Sequence, residues 1–156
     1  MLNVYFPEEE IKKDDLYFVC YMIERVARRL KRRNRYVVDM IGKEEFSKIL
    51  SLANVLHSEN PVQVEDDWIE KYALTNGDVD VSAVDQELVT EIPRPTQMGK
   101  VYQRLIIDTL MPEEDYADAI VRVYRNDLCD TIDNYNCSAY YEPSYIIAKA
   151  YNSGGF

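Results

Sequence analysis

The sequence has little of what most catalytic and metal sites are built from. Its only histidine is His57, so a catalytic triad would depend on that one residue, and metal sites with two or more histidines are excluded. Glycine is scarce, with 5 in the chain, and the sequence contains no glycine-rich phosphate loop, no HExxH zinc motif and no EF-hand loop. We therefore predict a protein that is not an enzyme and that needs no cofactor.

Cysteine and long apolar runs are also scarce. Cys20, Cys129 and Cys137 are odd in number and have no CxxC spacing, so we expect free thiols rather than disulfides. No apolar run approaches the roughly 20 residues that a membrane span needs. Residues 1–10 also lack the basic and then apolar pattern of a secretion signal. We therefore expect a cytoplasmic protein that does not enter a membrane.

Acidic residues outnumber basic ones, and the basic residues are concentrated in one place. The formal net charge is −10. Seven cations and no acid lie in a stretch that we call the basic block, which contains Arg25, Arg28, Arg29, Lys31, Arg32, Arg33 and Arg35. Subtracting these seven positive charges leaves −17 on the rest of the chain. An acidic chain repels phosphate backbones on average, so only this block could bind nucleic acid.

The basic block has three interpretations. It is a nucleic-acid contact, a solvated helix end, or a salt-bridge surface that works within the chain or between chains. A helix-turn-helix made from residues 36–41 and 43–56 would have few basic or amide side chains in its second helix, which contains Glu44 and Glu45. We therefore do not expect a nucleic-acid partner, and we favour the salt-bridge surface.

The spacing of the apolar residues predicts an all-α fold of about seven helices. Apolar residues recur at steps of three and four, which places them on one face of a helix. The predicted helical segments are residues 8–33, 36–41, 43–56, 61–72, 96–109, 112–136 and 143–151. We expect one helical domain, residues 1–156, with halves 1–74 and 96–156 joined by a turn-rich connector, residues 75–95.

The same pattern predicts which side chains fill the core. They are Val19, Ile23, Val26, Leu30, Phe46, Ile49, Leu50, Ala53, Trp68, Val101, Leu105, Ile120, Val123 and Ile132. Helix caps are predicted at Asn60, which precedes Pro61, and at Thr96. Gly42 is expected to end a short helix in the left-handed conformation.

Three aspartates are spaced in a way that allows a metal site. Asp127, Asp130 and Asp133 lie three residues apart, which on a helix places their carboxylates on one face. Such a ladder holds a divalent cation if a second helix supplies more oxygen ligands. We favour the other interpretations, a solvated acidic face or a face that pairs with Arg28, Arg29 and Arg32.

The C-terminal segment is rich in tyrosine, which suits a binding surface. Tyr135, Tyr140, Tyr141, Tyr145 and Tyr151 follow one another closely. Tyrosine brings a large contact area and a polar tip at low rotamer cost, so it concentrates at interfaces. We predict a protein-binding module, whose partner is another protein or a second copy of the chain. The candidate binding residues are Arg25, Arg28, Arg29, Arg32, Tyr140, Tyr141 and Tyr145. The alternatives are a nucleic-acid-binding regulator and a metal-dependent enzyme.

Three stretches resemble a small helical family of unknown function from bacterial genomes. They are residues 18–72, which begin FVCYMIERVARRLKRRNRYVVDMIGKEEF, and the runs MGKVYQRLI and CDTIDNYNCSAYYEPSY nearer the C-terminus. The resemblance implies no catalytic residue. It implies a small cytosolic protein, and some members look like partners in toxin and antitoxin style gene pairs, which favours a binding role.

Overall fold

The computed structural model describes residues 2–156 and confirms the all-α prediction. Seven α-helices form within that range, and no strand does. They are α1 (Lys13–Leu30), α2 (Asn34–Leu56), α3 (Pro61–Lys71), α4 (Pro95–Asp108), α5 (Tyr116–Tyr124), α6 (Leu128–Ile132) and α7 (Ser144–Ser153). A 3-10 turn, Ala139–Tyr141, lies between α6 and α7.

Helix α1 lies at the centre of the fold. Its apolar face is buried, and it packs against α2, α3 and α4. Helix α5 packs on α2, and α7 packs on α4, so helices from both predicted halves share one apolar core. All the predicted core residues are buried except Val101, which is only partly buried. None of the helices in residues 2–156 combines the length and the apolar character that crossing a membrane requires.

Helix α1 begins at Lys13 and not near Glu8, as the sequence predicted. The acidic stretch that suggested a helix start belongs instead to a loop, residues 2–10. The helix begins where its first turn can be capped, because the N–H of Lys12 donates to the carboxylate of Asp15 at 2.7 Å. The predicted opening at residues 7–10 is therefore wrong.

The predicted break between residues 36–41 and 43–56 is present at Gly42. The helical run of α2 passes through this point, but Gly42 has φ 79° and ψ 165°, which is not a helical conformation. Glycine adopts positive φ without the steric penalty that a Cβ atom brings. Helix α2 therefore consists of two helical pieces joined by a kink.

The caps of α3 and α5 are set by single side chains. Asn60 caps α3 as predicted, since its side-chain oxygen accepts the N–H of the second helical residue at 3.0 Å, and Pro61 is the first residue of the helix. Helix α5 begins at Tyr116 and not at Pro112. Asp115 is its cap, and its carboxylate accepts a backbone N–H one turn later at 2.8 Å.

Two further predicted bounds are corrected. Helix α4 begins at Pro95, so Thr96 lies inside the helix and is not its cap. The predicted segment 112–136 forms two helices, α5 and the single turn of α6, because residues 125–127 turn between them.

The connector, residues 75–95, consists of turns and irregular backbone. It is tied to the end of α1, because the N–H of Gly77 donates to the carbonyl of Leu30 and the N–H of Val79 donates to the carbonyl of Lys31, both at 2.8 Å. The connector therefore lies across the end of the central helix.

Candidate binding groove

Carboxylates within the chain hold much of the basic block. Glu65 of α3 is 5% exposed and accepts hydrogen bonds from Arg25 and Arg29 of α1. Arg29 also pairs with Asp66 at 2.7 Å. Two acids in the middle of α3, Glu65 and Asp66, are therefore the counter-charges of α1, and the two helices are joined by ion pairs.

Arg28 is the most deeply placed of the candidate arginines. Its Nε donates to Glu24, one turn earlier on α1, at 2.8 Å. A second guanidinium nitrogen donates to the carbonyl of Pro93 at 2.7 Å and to the hydroxyl of Tyr135 at 3.2 Å. Arg28 therefore connects α1 to the end of the connector and to the chain that follows α6.

Arg32 is held without a carboxylate partner in residues 2–156. It donates to the carbonyl and the hydroxyl of Thr75, at 3.0 and 2.8 Å. Its guanidinium lies 4.2 Å from the centre of the Tyr36 ring, in a cation-π contact. All four candidate arginines therefore have partners inside the chain, although Arg29 keeps 42% of its side chain exposed.

The aspartate ladder does not form a common site. Asp127 pairs with Arg35 at 3.2 Å, and Asp130 pairs with Arg33 at 3.4 Å. Asp133 faces other helices. The aspartates thus pair with arginines of the basic block, as we favoured, but not with the three that the sequence suggested. No group of three or more histidine, cysteine or acidic side chains in the described residues could hold a metal ion.

Asp133 belongs to a buried polar cluster that we call the Glu24 cluster. Tyr102 of α4 donates to Asp133 at 2.6 Å, and Tyr135 donates to Glu24 at 3.2 Å. The side-chain amide of Asn34 lies between the two carboxylates. Burial, together with the nearby charge of Glu24, raises the pKa of Asp133 well above its ordinary value. The cluster therefore favours a proton on Asp133.

The two cysteines of the core are unreactive. Cys20 and Cys129 are buried, and Cys137 is exposed, with no disulfide among them. Burial raises the pKa of Cys20 and that of Cys129 to about 12, so both thiols stay protonated at neutral pH. They act as small apolar side chains in the core.

The C-terminal tyrosines are divided between core and surface. Tyr135 is buried, and Tyr151 is half-buried, with its hydroxyl accepting a hydrogen bond from Arg122. Tyr140 is half-buried, whereas Tyr141 and Tyr145 are 78% and 69% exposed. Of the three tyrosines predicted to bind a partner, two are therefore well exposed, and Tyr140 is half-buried as Tyr151 is.

Two of these tyrosines line a groove where α4 and α7 pack together. The groove has a volume of about 460 Å³, and we call it the tyrosine groove. Its lining side chains include Tyr17, Lys100, Arg104, Tyr140, Tyr141 and Ile147, and one carboxylate, that of Glu142. Tyr145 lines a neighbouring, more open cavity, and Ser144 lines both. The structure therefore brings Tyr140 and Tyr141 together with two cations of α4 and leaves the candidate arginines elsewhere.

Lys100 and Arg104 are the two cations of the tyrosine groove, one turn apart on α4. Neither forms an ion pair with a carboxylate in residues 2–156. Lys100 lies 4.4 Å from the centre of the Tyr17 ring. Their positive charge therefore remains available to a carboxylate from another molecule.

A second cavity, of about 390 Å³, lies on the other side of Tyr17 and Lys100, which line both cavities. It is lined in part by the exposed His57, whose ring packs at a tilt of 38° against that of Phe18 with the ring centres 4.9 Å apart. His57 also follows directly on α2 as its C-terminal cap residue. The only histidine is thus a packed capping residue at the edge of a surface cavity.

Sequence reasoning missed Tyr17, Lys100 and Arg104. The signal for the last two was present, because Lys100 and Arg104 have the four-residue spacing that places two side chains on one face of a helix. What the sequence did not indicate was that this face of α4 would meet the 3-10 turn that carries Tyr140 and Tyr141.

Comparison with protein-family models, with curated proteins and with solved structures finds no match to this chain.

Proposed function

We propose that the chain is a small cytosolic protein-binding module that holds a segment of a partner protein in the tyrosine groove. The observation that carries this proposal is the pair Lys100 and Arg104. The chain has 28 acidic and 18 basic side chains, so carboxylates are in excess, yet within residues 2–156 neither of these two neighbouring cations forms an ion pair, and Glu142, the one carboxylate of the groove lining, pairs with neither. A partner segment that supplies a carboxylate would complete the groove.

The tyrosines supply the other half of the argument. Exposed ion pairs contribute little to affinity, so a charged surface needs apolar anchors beside it. Tyr141 and the half-buried Tyr140 offer ring surface next to the cations, and Ile147 adds an apolar side chain. Aromatic side chains beside a cationic pair suit a partner segment with an apolar residue close to an acidic one.

The basic block supports this proposal more than the nucleic-acid alternative. Affinity for nucleic acid comes mostly from cations that are free to replace counterions on phosphates. Five of the seven cations of the block form ion pairs with carboxylates of the chain, namely Arg25, Arg28, Arg29, Arg33 and Arg35. Binding phosphate would require giving up those pairs. In our proposal the arginines stay with their internal partners.

Two further observations bear on the cytosolic location and on the class of partner. Free cysteines, one of them exposed, suit a reducing compartment. An accessory or antitoxin-like role is what the resemblance to a bacterial helical family implies, and it agrees with a groove that takes another protein.

Co-purification with the tagged full-length chain tests the proposal. The groove variant Lys100→Gln with Arg104→Gln should lose a bound protein that the wild type retains. The matched control is Lys43→Gln with Arg125→Gln, which removes the same charge from two exposed side chains that do not line the groove. Because exposed ion pairs contribute little to stability, the control should fold and bind as the wild type does. The proposal fails if the groove variant and the wild type retain the same proteins.

A further inference from the structure

The N-terminal loop, residues 2–10, carries several exposed apolar side chains. Leu2, Val4, Tyr5 and Phe6 are 81%, 53%, 47% and 37% exposed. They are followed by three exposed acids, Glu8, Glu9 and Glu10, which form no ion pair in residues 2–156. Apolar side chains gathered on one exposed segment mark a contact surface more often than scattered ones do.

This loop is held in one shape by its own hydrogen bonds. The side-chain oxygen of Asn3 accepts the N–H groups of Tyr5 and Phe6 at 2.9 and 2.8 Å. The side-chain amide of Asn3 donates to the carbonyl of Ser51 on α2 at 2.9 Å, and a bridge between Leu2 and Glu10 closes the loop. A loop that is already ordered loses little further conformational entropy when it binds.

The loop and the tyrosine groove are chemically complementary. The loop offers two aromatic rings followed by three carboxylates, and the groove offers tyrosine rings beside Lys100 and Arg104. We propose that the occupant of the tyrosine groove is this loop from a second copy of the chain. The inference rests on the proposed function, since it names the partner of the same groove.

The contact has to be between two copies. Asn3 anchors the loop to α2, and no residue of the loop lines the groove of its own chain. The two surfaces differ, so each copy has one loop and one groove. Two such contacts close a dimer when the geometry allows it, and otherwise the copies form a longer chain.

Reversing charge on each side separately should abolish the association. We expect the full-length wild type to self-associate with concentration in sedimentation velocity. The loop variant Glu8→Lys, Glu9→Lys and Glu10→Lys and the groove variant Lys100→Glu with Arg104→Glu should each weaken the association at least about tenfold, a change of roughly 1.4 kcal/mol. Combining all five substitutions in one chain should restore it, because the charges are exchanged and remain complementary.

If association depended only on general repulsion between acidic chains, the loop variant would associate more strongly than the wild type. Each of the three changes in the loop adds two positive charges, so the net charge moves from −10 to −4. A less acidic chain would associate more readily if only net charge mattered. Loss of association in the loop variant is therefore specific to the proposed contact. Circular dichroism of each variant checks that it folds, and Phe6→Ser and Tyr141→Ser test the aromatic contact without changing any charge.

Three results would overturn the inference. They are a wild type that stays monomeric at all concentrations, a loop variant that associates as the wild type does, and a failure of the variant with all five substitutions to recover the association. A monomeric wild type whose groove variant still loses a foreign partner would leave the proposed function standing and refute only the second copy as the occupant.

Discussion

The side-chain amide of Asn34 donates to Glu24 at 3.1 Å and to Asp133 at 3.2 Å. One neutral side chain thus joins two carboxylates from different helices, and Arg28 is the only cation that pairs with either of them in residues 2–156. Because the two carboxylates would repel each other when both are ionised, the cluster depends on these donors and on a proton at Asp133.

Replacing Asn34 with leucine should destabilise the protein. The change removes the donor from a buried oxygen of Glu24 and from a partly buried oxygen of Asp133, and a buried polar group left unpaired costs roughly 1 to 3 kcal/mol. Urea unfolding followed by circular dichroism measures the loss. The matched control is Asn54→Leu, an exposed position on the same helix whose side chain makes no hydrogen bond within the described residues. Its effect should stay within about 0.5 kcal/mol. Equal effects at the two positions would contradict the importance of the bridge.

The pH dependence of stability should reveal the proton on Asp133. Its raised pKa means that the folded state binds a proton more tightly than the unfolded chain does. The contribution to stability is therefore fully present below the ordinary aspartate pKa of about 4 and is lost as pH rises through the raised value. The ionisable groups around it are Glu24, Arg28, Tyr102, Tyr124, Cys129, Asp130 and Tyr135.

Comparison with the variant Asp133→Asn isolates the contribution of Asp133 to the pH dependence of stability. The free energy of unfolding of the wild type, measured relative to that of the variant by urea titration, should fall as pH rises above the ordinary aspartate pKa of about 4. Glu45 and Glu114 have lowered pKa values because Lys48 and Arg122 donate to them, so their contributions are lost only as pH falls below about 4.5. A difference that does not change with pH would show that Asp133 is ionised throughout.

Gly99 is where α4 comes closest to α1. A Cβ atom on Gly99 would lie 3.1 Å from the backbone of Tyr21, in the middle of α1. Alanine usually gains about 1 kcal/mol over glycine inside a helix, but here the two backbones would have to separate. We expect Gly99→Ala to lower the free energy of unfolding and Gly99→Val to lower it further. Thermal unfolding followed by circular dichroism measures both changes. In that experiment Gly155→Ala, where a Cβ would meet open space, should have no effect.

The sequence predicted what depends on local spacing and missed what depends on how helices cross. The apolar period identified the core, and Asn60 with Pro61 identified the start of α3, because each signal lies within a few residues. The sequence did not predict that Arg33 and Arg35, rather than Arg28, meet the aspartates after α5. That pairing depends on where α6 lies against α2, which no local pattern specifies.

The candidate site follows the same division. Tyr140 and Tyr141 were identified by their density in the sequence, and both line the tyrosine groove. Lys100 and Arg104 were not identified as site residues from the sequence. Their place beside the tyrosines follows from the packing of α7 on α4. Which side chains lie beside an exposed helix face is decided by tertiary packing, and the local sequence does not specify it.

Glu65 carries the ion pairs that join α1 to α3, so neutralising it should loosen that contact. It is 5% exposed, and its two partners are partly exposed, Arg25 by 28% and Arg29 by 42% of the side chain. In Glu65→Gln the two guanidinium groups can still be hydrated, so the loss should be about 1.5 to 3 kcal/mol, the range for a hydrogen bond to a charged group. Removal of a fully buried partner would cost more.

The control for Glu65 is Asp67→Asn, because Asp67 is exposed on the same helix and contacts only Gln63. Urea unfolding should show a clear loss for Glu65→Gln and almost none for Asp67→Asn. Because the Glu65 side chain is only 6% exposed, 0.5 M salt should reduce the difference less than it would for a fully exposed pair. A double-mutant cycle with Arg25→Gln gives the coupling energy directly, and a value near zero would mean that the Arg25–Glu65 pair does not help to hold α3 on α1.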